Sequence, residues 1–143
     1  MKIPATPDGL RAVKTLKARG LGITGTAILS ATQAMLAARA GADYVAPYVN
    51  RMDNLGVDGV GAIADLVDIF DADGSTTQIL AASFKTKKQA LDVARVGCHA
   101  ATINSDVMHQ LLSHPATDSS IAQFERDWRS AFGDNTLLSL LKK

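Results

Sequence analysis

Short, mostly apolar runs alternate along the chain with longer segments in which apolar residues recur every three or four positions. The short runs are typical of buried strands, and the longer segments are typical of amphipathic helices. Five strands are predicted, at residues 2–6, 21–27, 42–49, 78–84 and 99–103. Helices are predicted from an N-cap at Thr6 to Gly20 and over about 30–40, 58–72, 87–96, 106–112 and 118–132.

The strict alternation predicts an α/β fold with a parallel sheet, because strands that are apolar along nearly their whole length must be covered by helices. The pattern leaves two architectures open. One is an open, flavodoxin-like sheet. The other is part of a (β/α)8 TIM barrel, which in full takes about 250 residues. No linker or low-complexity segment interrupts the 143 residues, so a single domain over 1–143 is expected.

Composition narrows the class of protein. Hydrophobic residues make up 47% of the chain and charged residues 20%, which indicates a globular protein rather than a disordered one. A net charge of +1 offers no field that would attract nucleic acid. The single cysteine fits a reducing cytoplasm, and neither a signal peptide nor an apolar run of about 18 residues is visible. We therefore expect a cytoplasmic protein with no membrane or nucleic-acid partner.

Several kinds of site are disfavoured by their spacing. The segment GVDGVG (56–61) has the wrong glycine spacing for a dinucleotide fingerprint. The segment DADGS (71–75) lacks the closing glutamate of a calcium loop. The three histidines have no paired ligand spacing. No metal and no organic cofactor is therefore expected.

The remaining reactive residues lie on or after the predicted strands, towards the carboxyl ends where α/β folds place their sites. They are Lys2 in the first strand, Thr26 at the end of the second, Tyr48 and Arg51 at the end of the third and Ser83 at the end of the fourth. A lysine inside a barrel is desolvated, which favours the neutral amine that attacks a carbonyl. Hydroxyl groups move protons, and arginine and serine bind phosphate.

Each of these residues also has a simpler interpretation, which the pattern leaves open. Lys2 would be a solvated terminal lysine, and Tyr48 an aromatic at the edge of the core with its hydroxyl in water. Arg51 would form an ion pair with Asp53. The threonine and the serine would cap the helix or turn that follows each of them.

Five stretches carry a resemblance to a known family. They are KIPATPDGLRAVKTLKARG (2–20), TGTAILSATQ (24–33), GADYVAPYVNRMD (41–53), ILAASFKTKKQALD (79–92) and FERDWRSAFG (124–133). With them the chain resembles the small transaldolases and fructose-6-phosphate aldolases over essentially its whole length. The resemblance implies a class I aldolase or transaldolase that acts on ketose phosphates or dihydroxyacetone through a lysine Schiff base. A non-catalytic sugar-phosphate-binding or assembly protein is the alternative.

The resemblance also implies roles for individual residues. Lys2 matches the Schiff-base lysine of the family, Thr26 its water-holding threonine and Tyr48 its acid/base tyrosine. The positions that would contact phosphate or line the substrate are Arg51, Ser83, Lys85 and Ala46. No cofactor is implied, because the imine itself is the electrophile.

The resemblance starts at the family's fourth strand, the one that carries the lysine. It therefore implies about five strands from the C-terminal part of a TIM barrel. Family residues on the earlier strands, including one that orders the catalytic water, have no counterpart here, and Asn104 stands where the family usually has proline. Two exposed sheet edges and an apolar inner face would favour association. We expect either a homo-oligomer, packed as family members are through C-terminal helices, or a complementing N-terminal half.

Overall fold

In the computed structural model, which describes residues 1–141, all five predicted strands are present, each shorter than the pattern suggests. The strands are β1 (Lys2–Pro4), β2 (Thr24–Ile28), β3 (Tyr44–Pro47), β4 (Gln78–Ala81) and β5 (Ala100–Ala101). The helices are α1 (Pro7–Lys17), α2 (Ala31–Arg39), α3 (Val49–Asn54), α4 (Gly59–Asp73), α5 (Lys87–Arg95), α6 (Ser105–Leu112), α7 (Pro115–Phe132) and α8 (Leu137–Leu140). The alternation confirms the α/β class.

The strands form one parallel sheet whose spatial order, β1-β2-β3-β4-β5, is also their order in the chain. Crossovers between parallel strands are right-handed almost without exception, so a sheet that always grows in one direction receives its crossover helices on one face. A flavodoxin-like sheet reverses direction at a switch point and has helices on both faces. The sequential order excludes that alternative and agrees with part of a TIM barrel, in which strands follow one another around the ring.

The chain divides into two compact units, Met1–Met108 and His109–Lys143, of which the second is described as far as residue 141. The first unit contains the sheet, the helices α1 to α5 and the start of α6. The second contains the end of α6, then α7 and α8. The predicted C-terminal helix at about 118–132 corresponds to α7. That 1–143 is one domain stays a prediction.

The core of the first unit lies on one face of the sheet. It takes alternate strand residues, among them Ile3, Val45 and Ile79, together with side chains of α1, α2, α4 and α5. Successive side chains of a strand point to opposite faces, so the intervening residues lie on the other face. Lys2 and Tyr44 on that face are exposed, whereas Ala46, two residues after Tyr44, is buried. We call this face the open face of the sheet.

The second unit is dominated by α7, an 18-residue amphipathic helix that begins at Pro115. Its apolar side chains Ile121, Phe124, Trp128 and Phe132 recur at helical spacing and form what we call the α7 stripe. Ile121 is 50% exposed and Phe124 68% exposed, and α7 buries none of its residues. Inside the unit, the indole Nε1 of Trp128 donates a hydrogen bond to the carbonyl oxygen of Asn135 (2.7 Å).

Candidate active site

The open face is polar near the start of the strands. The strand register places Lys2 beside Thr24, Thr24 beside Tyr44, and Tyr44 beside Gln78, so four polar side chains form one row across the sheet. Lys2 is held at the beginning of this row by its neighbour Met1, whose carbonyl oxygen accepts a hydrogen bond from the amide of Thr24 (2.8 Å). The prediction that the inner face of the sheet is apolar is therefore wrong for this row of four polar side chains. Lys2 is exposed rather than enclosed.

The hydroxyl groups of Thr26 and Tyr48 lie 3.0 Å apart and share a hydrogen bond. The sequence pattern predicts Thr26 at the end of β2, but the strand continues to Ile28. Between Gly25 and Ile28 the register against β3 shifts by one residue, and Ala27 has a left-handed backbone with φ 55°. A bulge of this kind redirects side chains and is common beside active sites. The simpler role of Thr26 as a helix cap is wrong, since Ser30 caps α2.

The sequence pattern predicts Arg51 at the end of the third strand. In the structure it lies on α3, a short helix that the apolar pattern does not reveal. Its guanidinium carbon stands 4.7 Å from the centre of the Tyr48 ring, a distance at which a cation–π interaction is favourable. The simpler ion pair with Asp53 is wrong, because Arg51 stacks on this ring instead. The carboxylate of Asp53 accepts from the amide of Gly59 (2.9 Å) and the side chain of Gln89 (2.6 Å).

Ser83 and Lys85 line a cavity of about 300 Å³ after the carboxyl ends of β4 and β5. Thr102 and Asn104 contribute to the same cavity. Ser83 has φ 64°, and a left-handed serine is a strained conformation of the kind that gathers at functional sites. β4 itself ends at Ala81, so Ser83 follows the strand instead of ending it. Arg51 is not among the residues that line this cavity.

The backbone nevertheless brings the two groups of predicted phosphate contacts together. The amide of Asn50, next to Arg51, donates to the carbonyl oxygen of Ser83 (2.9 Å). Tyr48 also pairs with Ala82 as an isolated parallel bridge. Ala46 is fully buried on β3. The predicted residues therefore lie along the carboxyl ends of β2, β3 and β4, with Lys2 at the start of the neighbouring β1.

A larger cavity of about 450 Å³ lies at the opposite, amino end of the strands, where α2 and α4 end and β3 and β4 begin. Its charged side chains already pair with one another: Lys17 with Asp43, and Arg39 with Asp73. The hydrogen bond from Lys17, followed by that from the Ile23 amide, holds the pKa of Asp43 below its usual value. Because these charges neutralise one another, we attribute the cavity to packing between helix ends and not to the site.

Within residues 1–141, no three potential metal ligands of the His, Cys, Asp and Glu types come together. None of the helices found there is long and apolar enough to cross a bilayer.

Comparison with known families gives one result, and it extends over most of the chain. The family model described as Transaldolase/Fructose-6-phosphate aldolase matches residues 1–139. The matched range includes every residue that the sequence predicted for the site.

Proposed function

The chain belongs to the transaldolase/fructose-6-phosphate aldolase family, a family of enzymes, and on this premise we propose that it acts as a class I aldolase on ketose phosphates, with Lys2 as the Schiff-base lysine. The observation that carries the proposal is the Thr26–Tyr48 hydroxyl pair, 3.0 Å apart. Thr26 lies on β2, which pairs with the strand that holds Lys2, and Tyr48 follows β3. Schiff-base chemistry needs a lysine amine and, near it, a group that moves protons. In this proposal Lys2 supplies the amine, and the hydroxyl pair, one strand away, supplies the proton transfer.

In the proposed reaction, the lone pair of Lys2 Nζ attacks the ketone carbon of the sugar. The resulting carbinolamine loses water and becomes a protonated imine. Removal of the proton from the C4 hydroxyl then lets the C3–C4 bond break, and its electron pair flows into the imine to give an enamine and a free aldehyde. An aldolase protonates and hydrolyses the enamine, whereas a transaldolase adds it to a second aldehyde.

We assign the proton transfers to Tyr48. Its hydroxyl would take the C4 proton directly or through a water that Thr26 helps to hold. Hydrogen bonding to Thr26 fixes the direction of the phenol, and the guanidinium of Arg51 over the ring adds a second restraint. The phosphate of the sugar would be bound by Arg51, Ser83 and Lys85, which stand on two neighbouring segments that a backbone hydrogen bond joins.

Completion of the site would require a second polypeptide segment. A closed barrel has eight strands, whereas residues 1–141 supply five, and β1 and β5 end the sheet with unpaired edges. Open edges of parallel strands favour association. We propose that another copy of the chain, or a separate N-terminal half, covers the open face and supplies the group that orders the catalytic water.

Borohydride trapping tests the proposed lysine. Reduction in the presence of dihydroxyacetone should leave one covalent adduct, located on Lys2 by peptide mapping. Lys2→Arg should abolish it, whereas Lys14→Arg, which changes an exposed lysine of α1, should leave it intact. An adduct on Met1 alone, or none, would contradict the proposal.

Turnover is expected to be weak when the chain is alone. The absence of one positioned acid/base group typically lowers a rate by about 10²–10⁴-fold, and cleavage of fructose 6-phosphate by residues 1–143 alone should be reduced to that extent relative to a closed barrel of the family. Trapping without cleavage would favour the non-catalytic sugar-phosphate-binding alternative. Strong cleavage would mean that a second copy completes the site.

A further inference from the structure

The side chain of Gln89 joins two segments that are separate in the chain. Gln89 is the third residue of α5, and its Oε1 accepts hydrogen bonds from the backbone amides of Lys85 (2.9 Å) and Thr86 (3.2 Å). The Thr86 side chain accepts in turn from the Gln89 amide (3.2 Å), which completes a capping box. This half of the side chain has an ordinary structural purpose, the start of a helix.

The other half of the amide has no part in the cap. Gln89 Nε2 donates to Asp53 Oδ2 (2.6 Å) and to Asn50 Oδ1 (3.3 Å), both on α3. The second carboxylate oxygen of Asp53 accepts from the amide of Gly59 (2.9 Å), which starts α4. Both donors and both acceptor positions of the Gln89 amide are therefore used, and a capping box needs only the acceptors.

The two segments that Gln89 joins carry the predicted phosphate contacts. Arg51 lies on α3 between the two residues that accept from Gln89. Lys85, whose amide donates to Gln89, lines the cavity that Ser83 also lines. The hydrogen bonds of Gln89 fix the distance between α3 and the loop that contains Ser83 and Lys85. Binding sites depend on such support, because small displacements weaken several contacts at once.

We propose that Gln89 is a positioning residue of the phosphate site: it holds the α3 helix that carries Arg51 against the loop that carries Ser83 and Lys85. The inference rests on the proposed function, since it concerns the affinity of that site for the sugar phosphate. It assigns Gln89 no contact with the substrate.

The substitution Gln89→Glu separates the two halves of the side chain. Glutamate still accepts from the Lys85 and Thr86 amides and still completes a capping box, so α5 keeps its start. It cannot donate to Asp53 and repels that carboxylate instead. Calorimetric affinity for inorganic phosphate should fall about tenfold.

Because glutamate also adds a negative charge, the double variant Gln89→Glu/Asp53→Asn is the decisive comparison. It restores the net charge and reverses the direction of the bond, with the amide of residue 53 now donating to the carboxylate of residue 89. Affinity should return to within about twofold of wild type. The KM for fructose 6-phosphate should rise and recover in parallel, whereas trapping with dihydroxyacetone, which has no phosphate, should be equal in all three proteins.

Gln33→Glu provides the matched control. Gln33 occupies the same position in α2, where it accepts from the Leu29 amide (2.8 Å), and the substitution introduces the same charge. Phosphate affinity should be unchanged in this variant, and thermal melting should show all variants folded. Wild-type affinity in Gln89→Glu, or a double variant as weak as the single one, would overturn the inference alone. Failure of the wild type to bind phosphate would overturn it together with the phosphate site of the proposed function.

Discussion

At the scale of single residues, the contact between Thr26 and Tyr48 has the clearest chemical meaning. Their residue types and their places near strand ends were predicted from the sequence, but their pairing was not. The pairing lies beside a one-residue shift between β2 and β3 and next to the left-handed backbone of Ala27. A non-glycine residue in that conformation leaves no mark in an apolar pattern, because it is imposed by the surrounding structure.

Tyr48→Phe should separate imine formation from cleavage. The phenyl ring keeps its place under Arg51 but has no proton to exchange, so kcat for cleavage should fall by about 10²–10⁴-fold. Borohydride trapping of dihydroxyacetone on Lys2 should continue. Steady-state kinetics and mass spectrometry on the same samples provide the two measurements.

Two substitutions at residue 26 serve as controls for this prediction. Thr26→Val removes the hydrogen bond to the phenol and should also lower kcat, though by less than Tyr48→Phe. Thr26→Ser keeps the hydroxyl and should stay close to wild type. Equal cleavage rates in wild type and Tyr48→Phe would show that another group moves the proton.

Gln89 shows how a residue can be missed although its signal is present. The segment Thr86–Gln89 matches the capping-box pattern, which predicts a helix start and nothing more. The contact with α3 joins residues 36 apart in the chain. No short-range pattern contains that information, so only the folded chain reveals it.

At the scale of elements, the most demanding contact is that between α1 and β1. A Cβ atom added at Gly9 would lie 1.9 Å from the carbonyl oxygen of Pro4, which is far inside the contact distance. Gly9 also donates its amide to the N-cap Thr6 (3.1 Å). The glycine therefore lets α1 begin directly against the strand that carries Lys2.

Gly9→Ala should destabilise the protein by about 1–3 kcal/mol, as expected for overpacking, although alanine usually stabilises a helix relative to glycine. The added methyl group would push α1 and β1 apart and so displace Lys2, and trapping on Lys2 should therefore slow as well. Urea unfolding measures the first effect and the rate of adduct formation the second. Gly22→Ala is the control, since nothing lies within 4 Å of its added Cβ, and its stability should be near wild type. A Gly9→Ala protein as stable as the control would show that α1 moves freely.

Element type was predictable because long apolar periodicities predict helices and short apolar runs predict strands. The first and last residues of each element were less predictable. The fourth strand, predicted over 78–84, ends at Ala81, since the chain then bridges to Tyr48 and turns left-handed at Ser83. The helix α3 was missed because six residues with only Val49 and Met52 buried carry too little periodicity. This miss placed Arg51 on the wrong element.

At the scale of the whole molecule, the pattern could not choose between an open sheet and part of a barrel. Local periodicity contains no information about which strands are neighbours. The family resemblance favoured the barrel, and the sequential strand order agrees with it. Neither the family resemblance nor the strand order could be derived from composition or from the spacing of apolar residues.

Self-association should be visible in solution. The α7 stripe and the unpaired edges of β1 and β5 expose surface that a monomer rarely leaves free. Light scattering with size-exclusion chromatography should give a mass that is a multiple of the chain's own. Phe124→Asp, which places a charge in the stripe, should shift the distribution towards smaller species.

The control for assembly is Ser119→Asp, on the opposite side of α7, which should leave the mass unchanged. Circular dichroism would show that both variants keep their helices. A well-folded monomer across micromolar concentrations of wild-type protein would contradict the expected association.

The sequential order of the strands also affects how the chain is made. Each strand pairs with the strand that precedes it, one helical segment earlier, so a nascent chain leaving the ribosome can dock each βα unit as soon as it emerges. No unit has to wait for a distant partner. The cost is that every intermediate presents an unpaired leading strand until the next one arrives. Among the described residues β5 has no successor, so its outer edge is left for some other segment to cover.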